Sequence, residues 1–132
     1  MNGLTLAYIG DAYYELQIRD HLLNKGYTHV KQLHSKAIKY TSSIAQANIV
    51  QMMIDNNILL EDEINAYKRG RNNSTSGRKN VDGETYAKAT GFESIIGYLY
   101  LEKNNRLDLI VNISINYIDK GDLQWVKKWR MK

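Results

Sequence analysis

The stretch Leu4-Thr5-Leu6-Ala7-Tyr8-Ile9-Gly10-Asp11-Ala12-Tyr13-Tyr14-Glu15-Leu16 decides the class of this fold. Leu4, Tyr8, Ile9, Ala12 and Leu16, continued by Leu22 and Leu23, recur near helical spacing, and Gly26 follows as a stop. The spacing predicts a helix from Leu4 to about Asn24, capped by Asn2 or Thr5. Downstream, Val30 to Tyr40 and Ser42 to Asn56 read as two more helices, with Thr41-Ser42-Ser43 as the break between them. Glu61-Asp62-Glu63 opens a fourth, its acids at the positive end of the helix dipole, and Lys68-Arg69-Gly70 marks its expected end. Asp82 is the expected cap of a long helix from about Gly83 to Lys103; a sixth runs from Arg106 to about Lys120, halted by Gly121. A short seventh follows. No strand-like alternation and no repeat is evident, so the chain reads as one all-α domain over residues 1–132.

Composition agrees. The chain has 132 residues, 43% of them hydrophobic, with no proline and no cysteine. That length supports a single buried core, and a helical bundle can do without proline at its turns. The lack of cysteine excludes disulfide scaffolds, thiol catalysis and Cys-ligated zinc, and fits a cytoplasmic protein. Three scattered histidines, none at metal-ligand spacing, argue against a histidine zinc site. No apolar run approaches the roughly 20 residues of a membrane span, and no secretion signal is evident.

The net charge of +4 is unevenly placed. From Lys68 to Lys88 the chain carries six basic residues against two acids, and the remainder is balanced. Within that segment, Gly70-Arg71-Asn72-Asn73-Ser74-Thr75-Ser76-Gly77-Arg78 reads as a mobile basic loop, a common footprint of proteins that grip phosphates. A solvated surface loop accounts for the same composition. A second cluster, Lys127, Lys128, Arg130 and Lys132 around Trp125 and Trp129, reads as a last amphipathic helix or a frayed tail.

Two carboxylates stand out. Asp11 lies in Ile9-Gly10-Asp11-Ala12 and Glu93 in Gly91-Phe92-Glu93-Ser94-Ile95-Ile96-Gly97, both on helices that face the core. A buried unpaired carboxylate costs several kcal/mol, and an interior helical glycine costs about 1 kcal/mol relative to alanine. Gly10 and Gly97 would permit close approach of another backbone beside the acids. If the two helices cross there, Asp11 and Glu93 share a divalent cation; Mg²⁺ suits one or two carboxylates completed by water and phosphate oxygens. Pairing with Arg or Lys, or capping of a backbone group, is the other reading.

Tyr8-Ile9-Gly10-Asp11-Ala12 and Phe92-Glu93-Ser94-Ile95-Ile96-Gly97 resemble the two signature elements of ribonuclease III. Asn2-Gly3-Leu4, Lys68-Arg69-Gly70-Arg71-Asn72, Lys79-Asn80, Asp82 and Thr85-Tyr86 resemble the Mini-III branch in particular, which consists of the catalytic domain without a double-stranded RNA-binding domain. Family members usually have residues before this point, so the resemblance implies a trimmed N-terminus. It implies a homodimeric Mg²⁺-dependent endoribonuclease, with Mn²⁺ able to substitute, cutting double-stranded RNA in the maturation of 23S ribosomal RNA precursor. The implied catalytic and metal-binding residues are Asp11 and Glu93. Expected RNA contacts are Lys68, Arg69, Arg71, Asn72, Arg78 and Lys79, with Lys36 and Lys39 as a further candidate pair. Three acids of the ribonuclease III site are replaced here by Leu4, Ala7 and Thr90. Those losses keep a non-catalytic RNA-binding or ribosome-assembly module in view as the alternative. Glu15, one turn after Asp11, reads as an orienter of a metal-bound water or, as expected here, a partner of Arg19. Tyr13 and Tyr14 mark the first helix as an expected dimer surface.

Overall fold

A computed structural model describes residues 1–74 and 81–121. Six helices account for almost all of them: α1 (Gly3–Asn24), α2 (Val30–Thr41), α3 (Ser43–Asp55), α4 (Glu61–Asn72), α5 (Val81–Leu101) and α6 (Arg106–Lys120). No strand occurs among the described residues. The expected seventh helix and the basic tryptophan-containing tail lie outside them.

Helix boundaries follow local chemistry. The Asn2 carboxamide accepts from the Thr5 amide at 2.9 Å and starts α1. Ser42 Oγ accepts from the Ala45 amide at 3.1 Å and starts α3, satisfying donors a helix start leaves free. Gly26, at φ +98°, takes the chain out of α1 through a backbone conformation that favours glycine. Two boundaries differ from the sequence reading. Gly70 does not end α4, which continues to Asn72. The glycine is instead a packing residue, because a Cβ there would lie 2.0 Å from Ser94 Oγ of α5. Asp82 stands inside the first turn of α5 rather than before it.

The central pair is α1 against α5, with α4 and α3 packed on α5. Tyr14, Ile18 and Leu22 of α1 meet Ile49 and Met53 of α3, Phe92, Ile95, Ile96 and Leu99 of α5, and Ile110 and Ile113 of α6 in one core. Each such side chain contributes about 1.5–3 kcal/mol when buried. Tyr14 meets the Phe92 ring edge-on at 5.0 Å, and its hydroxyl donates to the Tyr40 carbonyl at 3.0 Å, fastening α2 to α1.

Polar locks sit at the ends of the bundle. Glu63 is fully buried and takes two hydrogen bonds from the Arg106 guanidinium, which also donates to the Ile58 carbonyl at 2.9 Å. Glu63 additionally accepts from the Leu60 amide at 2.9 Å. The carboxylate expected to serve the α4 dipole thus also ties α4 to the start of α6. At the far end of α6, Asp119 accepts from the Tyr40 hydroxyl and pairs with His21 and Lys25.

Candidate active site

The crossing of α1 and α5 is set by two glycines. A Cβ on Gly10 would lie 1.8 Å from the Glu93 carbonyl oxygen, and one on Gly97 would lie 1.9 Å from the Leu6 carbonyl oxygen. Neither helix could approach the other this closely with any side chain at those positions. The contact places the side chains next to the glycines together: Asp11 and Glu93 are hydrogen-bonded.

Their surroundings differ. Asp11 is exposed, whereas Glu93 is half-buried. Burial first, then the hydrogen bond and negative charge of Asp11, push the Glu93 carboxyl up to about 8, while a hydrogen bond from Gln46 pulls the other way. Burial and the Asp11 charge thus favour the protonated form of Glu93, the donor that the Asp11–Glu93 hydrogen bond requires. No Lys or Arg among the described residues forms an ion pair with either acid. No group of three or more His, Asp and Glu stands together among the described residues.

Two adjacent carboxylates, one open to solvent and neither paired with a basic side chain there, suit a hard divalent cation. Such an ion takes few protein oxygens and completes its shell with water and phosphate. The same two acids are poorly explained as structure, since burial against a second carboxylate, with no basic partner, opposes ionisation of Glu93.

Comparison with known proteins places the chain in a family. Residues 4–104 match the Ribonuclease III domain family. The chain is 48% identical to the Mini-ribonuclease 3 of Acholeplasma laidlawii, over 92% of this chain and 97% of that one. It is 44% identical to the Mini-ribonuclease 3 of Streptococcus pneumoniae, over 90% and 94%. The chain belongs to the Mini-ribonuclease 3 branch of the ribonuclease III domain family. A crystal structure of a Fusobacterium nucleatum protein is also similar, with TM-score 0.75, 34% identity and coverage of 88% and 93%.

Of the three positions Leu4, Ala7 and Thr90, two are packed into the interior. Ala7 and Thr90 are buried, and the Thr90 hydroxyl donates to the Tyr86 carbonyl at 3.0 Å. Leu4 is partly exposed. Glu15 pairs with Arg19 at 3.4 Å, as its spacing suggests.

The basic segment begins on α4. Lys68, Arg69, Arg71 and Asn72 are exposed there, and Arg69 also donates to the Met1 carbonyl at 3.2 Å. Gly70 packs on Ser94, the neighbour of Glu93, and Gly3 packs on the Arg69 carbonyl. The last turn of α4 is thereby fixed to both carboxylate-bearing helices. Arg78 and Lys79 lie outside the described residues.

Sequence reasoning missed Gln46. Only 2% exposed on α3, this amide touches Glu93. An amide among Ala45, Ala47, Ile49 and Val50 is the signal that could have found it, because a buried amide needs a polar partner.

Proposed function

We propose that this endoribonuclease cuts double-stranded RNA, with Mg²⁺ held by Asp11 and Glu93, to leave 5′-phosphate and 3′-hydroxyl ends. The observation that carries the reading is the contact of two carboxylates, delivered by separate helices across a glycine crossing and open to solvent on the Asp11 side.

Bound there, Mg²⁺ would supply a water of lowered pKa and positive charge beside the scissile phosphate; Mn²⁺ could take the same oxygens. The chain's residues do the rest. Asp11 presents its oxygens to solvent. The Gln46 amide orients Glu93 and favours its ionised form, and the glycine crossing fixes the two acids relative to each other. Neither acid has to move a proton on the RNA.

Duplex RNA offers proteins its phosphates and 2′-hydroxyls rather than a readable major groove. Lys68, Arg69 and Arg71 suit the phosphates and Asn72 a sugar hydroxyl, with Arg78 and Lys79 continuing the series. Large-subunit ribosomal RNA precursor is the substrate this reading assigns, and the cytoplasm is its place of action. No helix of the described residues is long and apolar enough to cross a membrane.

One centre reaches one strand, since a domain of this length has a radius of gyration of about 14 Å. Two protomers are needed for both strands. Tyr14, one of the residues that marked α1 as a dimer surface, is buried within the protomer, and half-buried Tyr13 packs on Tyr100 at 5.2 Å. The exposed apolar residues of α1 are Leu4, Tyr8, Leu16 and Leu23, with Tyr8 82% exposed. Tyr8, Leu16 and Leu23 share one side of the helix, and that side is the dimer surface of this reading.

The test is cleavage of end-labelled duplex RNA with Mg²⁺ and with EDTA, beside Asp11→Asn and Glu93→Gln. Metal-dependent cutting that either substitution abolishes, with the fold retained, is expected. Duplex binding without cutting in Mg²⁺ or Mn²⁺ would make the chain a binding module and overturn the reading.

A further inference from the structure

A second charged feature lies away from the carboxylates. Lys25 of α1, Tyr27 of the following turn, Lys36, Lys39 and Tyr40 of α2, and Asp119 of α6 line one pocket of about 220 Å³. Three lysines there face one aspartate, which leaves an excess of two positive charges. The aspartate is already engaged. It lies 3.1 Å from Lys25 Nζ and 3.0 Å from His21 Nε2 and accepts from the Tyr40 hydroxyl. Burial opposes its ionisation, but the hydrogen bonds from Tyr40 and Lys25 and the charges of Lys25 and His21 outweigh that and hold it below the usual carboxylate range. Lys36 and Lys39 have no ion pair among the described residues.

Two of the lysines are placed rather than loose. Asp119 holds Lys25, and the Tyr27 ring holds the Lys36 ammonium 5.0 Å from its centroid. The Tyr27 phenol is also close enough to Tyr40 to act on it electrostatically. Donors therefore reach the pocket from α1, from the α1–α2 turn and from α2. A chloride or a single carboxylate would leave half of the charge excess unmet. A phosphoryl group carries about −1.5 to −2 at neutral pH on three strong acceptor oxygens, which answers both the excess and the three ammonium groups. The pocket is smaller than the roughly 300–1,000 Å³ of sites for larger molecules, so it suits the phosphoryl group itself rather than a whole nucleotide. Duplex RNA is not the source. Ile18 and Leu22, buried in the core, stand on the line of α1 between Asp11 and Lys25, so a strand at the carboxylates cannot follow that line to the pocket.

We propose that Lys25, Lys36, Lys39 and Tyr27 form a binding site for a small phosphoryl dianion, either inorganic phosphate or the phosphate group of a small metabolite. The site is separate from the Asp11–Glu93 pair and does not depend on the nuclease reading. Lys25 belongs to the end of α1 and is held by Asp119 near the end of α6, whereas Lys36 and Lys39 belong to α2. A bound dianion offsets the mutual repulsion of the three ammonium groups and fastens these elements to one another. It stabilises the folded chain by mass action, because the unfolded chain has no such pocket.

The experiment titrates inorganic phosphate into the parent chain in EDTA at constant ionic strength. Binding is read by calorimetry and by phosphorus NMR line broadening, with Tm measured beside it. One saturable site per chain is expected, with a Tm rise that levels off as the site fills. The Lys36→Gln, Lys39→Gln double variant should bind at least tenfold more weakly, having lost two charge-assisted hydrogen bonds (~10-fold or more in all). Tyr27→Leu leaves the net charge unchanged but removes the ring that places Lys36, and should weaken binding by roughly threefold. Lys31→Gln, exposed on α2 outside the pocket, should bind like the parent. Thermal unfolding verifies the fold of each variant. Glycerol phosphate separates the two sources: tighter binding than inorganic phosphate supports a metabolite, weaker binding supports the free ion, and both keep the site. Phosphate also stabilises proteins generally through exclusion from their surface. A Tm rise that never saturates and that the double variant shares, without heat of binding, therefore overturns the proposal. So does binding that the double variant or Tyr27→Leu leaves unchanged. Displacement of the bound phosphate by duplex RNA in EDTA would assign the lysines to RNA and overturn it as well.

Discussion

Replacing Gly10 with alanine adds one methyl group at the tightest point of the molecule. The new Cβ would start 1.8 Å from the Glu93 carbonyl oxygen, whereas ordinary contacts begin near 3.4 Å, so α1 and α5 must part by roughly 1.6 Å. The obstructing atoms are backbone, with the Gly97 nitrogen at 2.7 Å behind them, so no side chain can swing away to relieve the clash. Overpacking costs about 1–3 kcal/mol and belongs at the upper end here, while alanine returns about 1 kcal/mol of helix propensity. The net loss is about 2 kcal/mol of a total near 5–15 kcal/mol. For a chain of this size that corresponds to a Tm lower by roughly 6–10 °C. Cleavage should fall further, because the same separation pulls Asp11 from Glu93, and a 1 Å misplacement can cost about a hundredfold. Gly97→Ala should behave alike, since its Cβ meets the Leu6 carbonyl oxygen at 1.9 Å. Gly26→Ala is the control. Its φ of +98° makes alanine strained, but nothing lies within 4 Å, so it should cost stability alone. Thermal unfolding and duplex cleavage read both effects. A Gly10→Ala protein that melts and cuts like its parent would refute the close crossing and the positioning argument built on it.

Three further outcomes are expected. Gln46→Leu removes the amide that favours ionised Glu93; a hydrogen bond to a charged group contributes about 1.5–3 kcal/mol, so the Mg²⁺ needed for half-maximal cutting should rise by at least tenfold, and an unchanged Mg²⁺ titration would refute this role. Arg106→Met leaves Glu63 buried without its cation and should cost about 3–5 kcal/mol, with Glu63→Leu in the same chain recovering most of it in denaturant unfolding; failure of that rescue would refute the pairing argument. Because Glu93 is raised from 4.5 to about 8, the folded chain keeps a proton that the unfolded chain loses between those values. Its contribution to stability in EDTA therefore falls as pH rises through that window; Glu93→Gln should flatten the Tm–pH profile, and Mg²⁺ should stabilise the parent more at alkaline than at acid pH.

Much of the fold was legible because helices announce themselves locally. The apolar recurrence from Leu4 to Leu23, the Ser42 cap and the Gly26 and Gly121 stops are short-range signals, and the helices form where these stand. Gly70 shows the limit. Its neighbours Lys68 and Arg69 made it look like a terminator, but its reason is Ser94 on another helix, a contact with no local trace. Asp11 and Glu93 could be singled out because a glycine beside an acid within an apolar helix has to be explained by something outside that helix. Gln46 could not be tied to them, since one amide on α3 does not say which carboxylate it meets. Glu63 carried two meanings at once; the helix dipole was readable from its position, and Arg106, 43 residues later, was not.

α4 is fastened at both ends, by Glu63 to Arg106 near its start and by Gly70 to Ser94 near its finish. A helix held this way acts as a strut. Lys68, Arg69, Arg71 and Asn72 ride on its last turns, so their backbone needs no ordering for the polyanion contact proposed for them. Ordering a free residue costs about 1–2 kcal/mol in backbone entropy; these four residues owe none of it at the moment of encounter. In the proposed role, attraction between their charges and a phosphate backbone would convert into affinity with little loss to chain ordering.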